Sequence, residues 1–132
     1  AAGKLLTKML SAISVPRESV YITNTVKCRP PNNRDPEVEE VRACEDYLRQ
    51  QIEIINPKVI VTTGLVPTKT MMDSSYLKMR DTRGRFLKSP KYKGPKIFPI
   101  YHPAYLLRNP QAKFPTWEDL KTLRAELEKY DG

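Results

Sequence analysis

Apolar residues at positions 5, 6, 9, 10 and 13 recur at helical spacing, which predicts a helix over the start of the chain. No capping residue precedes it, so the chain is expected to begin inside an element or to lack a preceding part. Pro16 ends that pattern, and Arg17 to Ser19 lead into the β-branched run Val20, Tyr21, Ile22, Thr23, which reads as a strand stopping at the amide of Asn24. A long helix is expected over 36–55. Asp35 is a fair N-cap, Pro36 suits the first helical position, and Glu37, Glu39 and Glu40 favour the positive end of the dipole. Val41, Cys44, Leu48, Ile52 and Ile55 form its apolar stripe. Residues 57–64 are a continuous apolar run of the kind found in buried parallel strands, with a short helix expected over 65–72.

The stretch 73–96 is polar and holds Arg80, Arg83, Arg85, Lys88, Lys91, Lys93 and Lys96. It reads as a loop or loose hairpin with little to pack. Residues 96–101 form a third strand, and Pro99 within it implies an edge position or a local irregularity. A turn or short helix follows at 103–108. An amphipathic helix over 115–130, built on Trp117, Leu120, Leu123 and Leu127, closes the chain.

Strands alternating with helices imply a parallel sheet covered on both faces. Ligands of such folds gather beyond the carboxyl ends of the strands. Those ends carry Asn24, the Thr63-Gly64 turn and His102, so one amide, one tight turn and the only histidine are expected on one rim.

A length of 132 residues fits one domain, 1–132, with a core that needs no staples. No run approaches the roughly 20 apolar residues of a membrane span, and nothing at the start resembles a signal peptide; a cytoplasmic address without a membrane partner is expected. Twenty-three Lys and Arg against fifteen Asp and Glu leave a formal charge of +8, which attracts polyanions. Nothing in the pattern asks for a second subunit, so a monomer is expected.

His102 stands at a strand terminus with Pro103 fixing the backbone behind it. Taken alone, a histidine is more often structural than catalytic. Here the loop that follows holds Leu106, Leu107 and Arg108 before Pro110. These residues could pack a helical turn, or serve as an apolar wedge with a phosphate-binding neighbour that pushes a base from its stack. Asn24 offers a donor and an acceptor at fixed spacing, suited to an imide edge, or equally to a strand-end cap. Cys28 sits in a basic, proline-stiffened loop, and Cys44 lies on the apolar stripe of its helix. Two thiols that far apart make a weak case for a metal by spacing alone.

Taken together, these segments resemble the family 4 uracil-DNA glycosylases, the iron–sulfur members of the uracil glycosylase superfamily. The resemblance runs through Ala2 to Leu6, Val20 to Pro31 with Cys44 at the family's distance, and Gln51-Ile52 leading to 57–61. Arg83 to Arg85 and His102 to Pro110 complete it. It implies a three-layer α/β/α sandwich around a central, four-stranded parallel sheet, and an enzyme that hydrolyses the N-glycosidic bond of deoxyuridine in base excision repair. Asn24 matches the residue that reads uracil, and His102 the one that stabilises charge on the departing base. Gly64, Pro103, Leu106, Leu107 and Arg108 match positions that meet DNA. Cys28 and Cys44 match two of four ligands to a 4Fe–4S cluster.

Departures from the family pattern carry their own expectations. Family members have a further N-terminal stretch with a Cys-x-x-Cys pair, a Gly-Glu-x-Pro-Gly motif that positions water, and an aromatic that stacks on uracil. These 132 residues hold none of them and match the C-terminal two-thirds. The resemblance therefore implies a missing first strand, no intact cluster, and weak or absent turnover by this stretch alone. A non-catalytic nucleic-acid-binding module derived from the same fold is the alternative.

Overall fold

The computed structural model describes residues 2–15 and 38–130. The strand expected at 20–24, with Asn24, and the loop carrying Cys28 lie outside the described residues. Ten described elements follow one another. Helix α1 is Ala2–Ala12, α2 Val38–Ile55, strand β1 Val59–Thr63, α3 Leu65–Met72 and α4 Met79–Thr82. Strands β2 Leu87–Lys88 and β3 Lys96–Ile100, helix α5 Pro103–Arg108, a 3-10 turn Pro110–Ala112 and helix α6 Lys113–Glu128 complete them.

Three strands form the described sheet in the order β1-β3-β2. β1 and β3 are parallel, with Val59 opposite Lys96 and Thr63 opposite Ile100. β2 is antiparallel to β3, so the described sheet is mixed where a parallel one was expected. Two apolar clusters cover its faces. Phe98 and Ile100 point to one side, where Met9 and Ile13, Leu106, and Leu120 and Leu123 bring in α1, α5 and α6. Ile97 points to the other and meets Leu48 of α2, Met71 of α3 and Tyr92. This alternation is what a pleated strand buried on both faces produces. The helix–sheet–helix layering agrees with the expectation.

Pro99 corrects one reading. β3 is central among the described strands, not an edge. In a strand the N–H and C=O of a residue point the same way, and the Pro99 carbonyl accepts from the Gly84 amide at 2.8 Å, on the side away from β1. The β2 ladder has stopped at Leu87 opposite Ile97, so the missing proline N–H falls where no ladder acceptor waits.

The stretch 73–96 also packs more than expected. It contains α4 and β2, its Phe86 ring lies 4.6 Å from Phe98, and Tyr92 is buried. Ser89 ties the segment down by donating to the Met71 carbonyl at 2.6 Å and accepting from the Lys91 and Tyr92 amides.

On α6 the buried face is Thr116, Asp119, Leu120, Leu123 and Glu126, whereas Trp117 is 42% exposed. A carboxylate turned inward needs a cation. Glu126 has two, Lys96 Nζ at 2.9 Å and Lys129 Nζ at 3.2 Å. Hydrogen bonding to Lys96 holds Glu126 below its ordinary 4.5, and the same bond raises Lys96 above 10.5. A carboxyl with a lowered folded pKa stabilises the protein above its unfolded pKa and stops doing so as pH falls through the folded one. A raised lysine loses its contribution as pH rises through its folded value. The urea midpoint difference between wild type and Glu126→Gln is therefore expected to be flat near neutrality, to close as pH falls from about 4.5, and to narrow again above about 10.5. A difference that persists unchanged at pH 3 would contradict the ion-pair origin.

Candidate active site

β1 ends at Thr63 and the chain must turn at once to start α3. Gly64 makes that turn at φ 95° and ψ 176°, backbone that a side chain rarely adopts. Its amide donates to the Ile100 carbonyl at 2.9 Å, joining the ends of β1 and β3. Its carbonyl accepts from Thr68 Oγ1 at 2.7 Å, and Thr68 shares a 2.8 Å hydrogen bond with Thr62. Both threonines are buried, so the turn is braced from below.

His102 lies directly against this turn. A Cβ built on Gly64 would sit 3.2 Å from the His102 Cβ. Of the three strand ends expected on one rim, those at Gly64 and His102 meet, and Asn24 lies outside the described residues. His102 is the N-cap of α5, with Pro103 at the first helical position. Its Nδ1 accepts the Ala104 amide at 2.9 Å. A nitrogen that accepts a backbone N–H carries no proton itself, so the neutral ring holds its proton on Nε2. The residue is exposed, and Nε2–H is the group it can offer to a ligand.

Two tyrosines bracket the histidine in the chain. Tyr101 and Tyr105 have ring centroids 4.9 Å apart. The guanidinium of Arg83 stands over the Tyr101 ring at 5.7 Å. Arg83 Nη1 donates to both carboxylate oxygens of Asp119, at 2.9 and 3.1 Å. Burial pushes the Asp119 carboxyl above its ordinary range, and the Arg83 hydrogen bond pulls against that. Gly84, at φ 71°, lets the backbone pass so close that a Cβ there would run into the Asp119 carboxylate. Sequence reasoning placed Arg83 in an unpacked loop and passed over Asp119. The signal was present, because Asp119 falls between Thr116 and Leu123 on the helical face that carries Leu120.

The loop after His102 divides in a way the sequence does not show. Leu106 is 1% exposed and belongs to the core under α1 and α6, and Pro103 is buried too. The wedge reading fails for Leu106, because the side chain fills space between helices and cannot reach a duplex. Leu107, 44% exposed, and Arg108 at the end of α5 face solvent. Exposed Arg80 and Arg85 lie on either side of the Arg83–Gly84 turn.

The pattern of the uracil DNA glycosylase superfamily matches residues 1–121. The chain belongs to that superfamily. Among superfamily members it is 47% identical over 129 residues to a type-4 uracil-DNA glycosylase of Sulfurisphaera tokodaii, covering 94% of this chain and 59% of that protein. It is 46% identical over 132 residues to the type-4 enzyme of Saccharolobus solfataricus, covering 96% of this chain and 61% of the other. A third match, the type-4 enzyme of Archaeoglobus fulgidus, is 44% identical over 127 residues, covering 93% and 64%. The chain thus spans about three-fifths of the length of these glycosylases.

An iron–sulfur cluster held by four thiolates does not fit the donors of this stretch, which has two cysteines in all. Cys28 lies outside the described residues, and Cys44 is on α2. Among the described residues no group of three or more His, Cys, Asp or Glu side chains could hold a metal ion. Among them, too, no helix is long and apolar enough to cross a membrane.

Proposed function

We propose that the protein is a uracil-DNA glycosylase and that this stretch supplies its leaving-group side. The observation that carries the reading is His102: an imidazole on the strand rim whose Nδ1 accepts the Ala104 amide, which leaves Nε2–H to donate. When the C1′–N1 bond of deoxyuridine breaks, the bonding pair moves onto the pyrimidine and develops as charge on N1 and its carbonyl oxygens. A preorganised N–H aimed at such an oxygen is worth roughly 10²–10³ in rate. Water then adds to the sugar cation at C1′, its oxygen forming the new C1′–O bond. The proton it loses is released to solvent, while the departed uracil anion takes one up at N1. Asn24 would read the imide edge of uracil, in keeping with the resemblance of the Val20 to Pro31 segment. Leu107 and Arg108 would meet the duplex and its phosphate, with the formal charge of +8 drawing the DNA in. No step is assigned to a cluster. The working species is taken to be a monomer.

Incubating this chain with single-stranded DNA containing one uracil is expected to give abasic sites slowly, and none with the matched thymine strand. Asn24→Asp should alter base selectivity, and His102→Gln should abolish product. Absence of abasic sites over long incubation, together with salt-dependent DNA binding, would instead establish a non-catalytic nucleic-acid-binding module derived from the same fold. Under either reading the DNA affinity should fall steeply between about 50 and 200 mM salt, as counterion release requires. An affinity flat over that range would sink both.

A further inference from the structure

We infer that Arg83 is a positioning residue for His102: anchored on Asp119, its guanidinium sets the ring pair of Tyr101 and Tyr105, which bracket His102 in the chain, and so keeps Nδ1 on the Ala104 amide. The functional meaning of this inference rests on the reading of His102 given above; its test does not.

An exposed histidine with one hydrogen bond to its own loop has little of its own to hold it in one rotamer and one tautomer. Beyond the Gly64 turn on which it lies, what holds it comes from the backbone on either side. Tyr101 precedes it directly, and the Tyr105 amide donates to the His102 carbonyl at 2.9 Å. The two rings lie 4.9 Å apart across the turn, so together they clamp the segment whose middle is the His102–Ala104 hydrogen bond.

The clamp needs a fixed partner, and Arg83 is fixed at both ends. Its amide donates to the Met79 carbonyl, and the next amide, Gly84, donates to Pro99, both at 2.8 Å. Its head is held by the carboxylate of Asp119, whose side chain is 8% exposed. Between these anchors the planar guanidinium faces Tyr101 at 5.7 Å. Stacking on a ring while donating to a carboxylate suits arginine and not lysine, whose ammonium is a compact point charge with no planar face.

The chain contains one histidine, so a 15N-labelled sample shows a single imidazole spin system. Wild type is expected to show a protonated Nε2 and an unprotonated Nδ1, widely separated in 15N shift. In Arg83→Lys the separation should shrink as the ring exchanges between tautomers, and the Ala104 amide should move, with dispersion elsewhere retained. Tyr101→Phe keeps both rings and should leave the imidazole signals in place. A folded Arg83→Lys protein with wild-type imidazole shifts overturns the inference. If Arg83→Lys does not fold, Tyr101→Leu removes the ring while sparing the ion pair and is expected to produce the same collapse; unchanged shifts there overturn it equally. Uracil release by His102→Gln separates the two ideas. Wild-type release by that variant defeats the role of His102 and leaves the positioning result standing, whereas unchanged imidazole shifts in Arg83→Lys defeat only the positioning.

Discussion

Replacing Gly84 by alanine is expected to lower folding stability by about 3 kcal/mol, the sum of a left-handed backbone penalty and a disturbed, largely buried ion pair. Gly84 sits at φ 71°, and its missing Cβ is the space occupied by the Asp119 carboxylate. Adding the methyl must move either the carboxylate, which then loses Arg83, or the Gly84 amide, which then loses the Pro99 carbonyl. Neither can move alone, because both belong to the contact between α6 and the end of β3. Gly94 provides the internal comparison. Its φ is 110° and nothing lies within 4 Å of a Cβ built there, so Gly94→Ala carries backbone strain alone. In urea melts the Gly84 variant should therefore lose clearly more than the Gly94 variant. Equal losses would show that crowding at Asp119 is unimportant.

On the glycosylase reading proposed above, Gly64→Ala is expected to reduce uracil release by about tenfold. That is short of the roughly 100-fold that a misplacement of about 1 Å costs at a reacting centre, because the contact asks for a shift of a few tenths of an ångström. The new Cβ would lie 3.2 Å from the Cβ of His102, an atom tied to the backbone that cannot swing aside. The strain of φ 95° and ψ 176° adds about 1–3 kcal/mol of instability. Thr62 and Thr68 oppose relaxation of the turn, because the Gly64 carbonyl is bound to Thr68. The relief is thus pushed onto the histidine side. Single-turnover uracil release and a thermal melt on the same sample separate the two effects. Release within threefold of wild type in a folded variant would mean that Gly64 does not set the position of His102.

Helices and strands with a clear period were legible from residues alone. The apolar spacing of 5, 6, 9, 10 and 13 matches α1, and the continuous run ending at Gly64 matches β1. The rim was legible too, since the order of elements places strand ends together whatever the details of packing, and Gly64 and His102 meet there. The limits have particular causes. Leu106 and Leu107 are chemically alike and adjacent, so only α1 and α6 packing on one face of α5 decides that the first is buried and the second exposed. Pro99 suggests an edge by its missing donor, yet whether a donor is needed depends on where β2 stops. Trp117 fits the apolar stripe of α6 but lies at its margin, while Asp119 and Glu126 turn inward because Arg83 and Lys96 come from elsewhere to meet them.

What the sequence by itself determined is the helix–sheet–helix class, the superfamily, and the residues at the strand ends, because each follows from periodicity or from short motifs contiguous in the chain. What only the tertiary structure decided is the support of those residues: the Thr68 brace under Gly64, the Arg83–Asp119 anchor beside Tyr101, and the Nδ1 bond that leaves His102 a donor at Nε2. The anchor joins residues 36 apart in the chain. Pairing at that separation depends on how α6 packs against the end of β3, and no local pattern of residues records it.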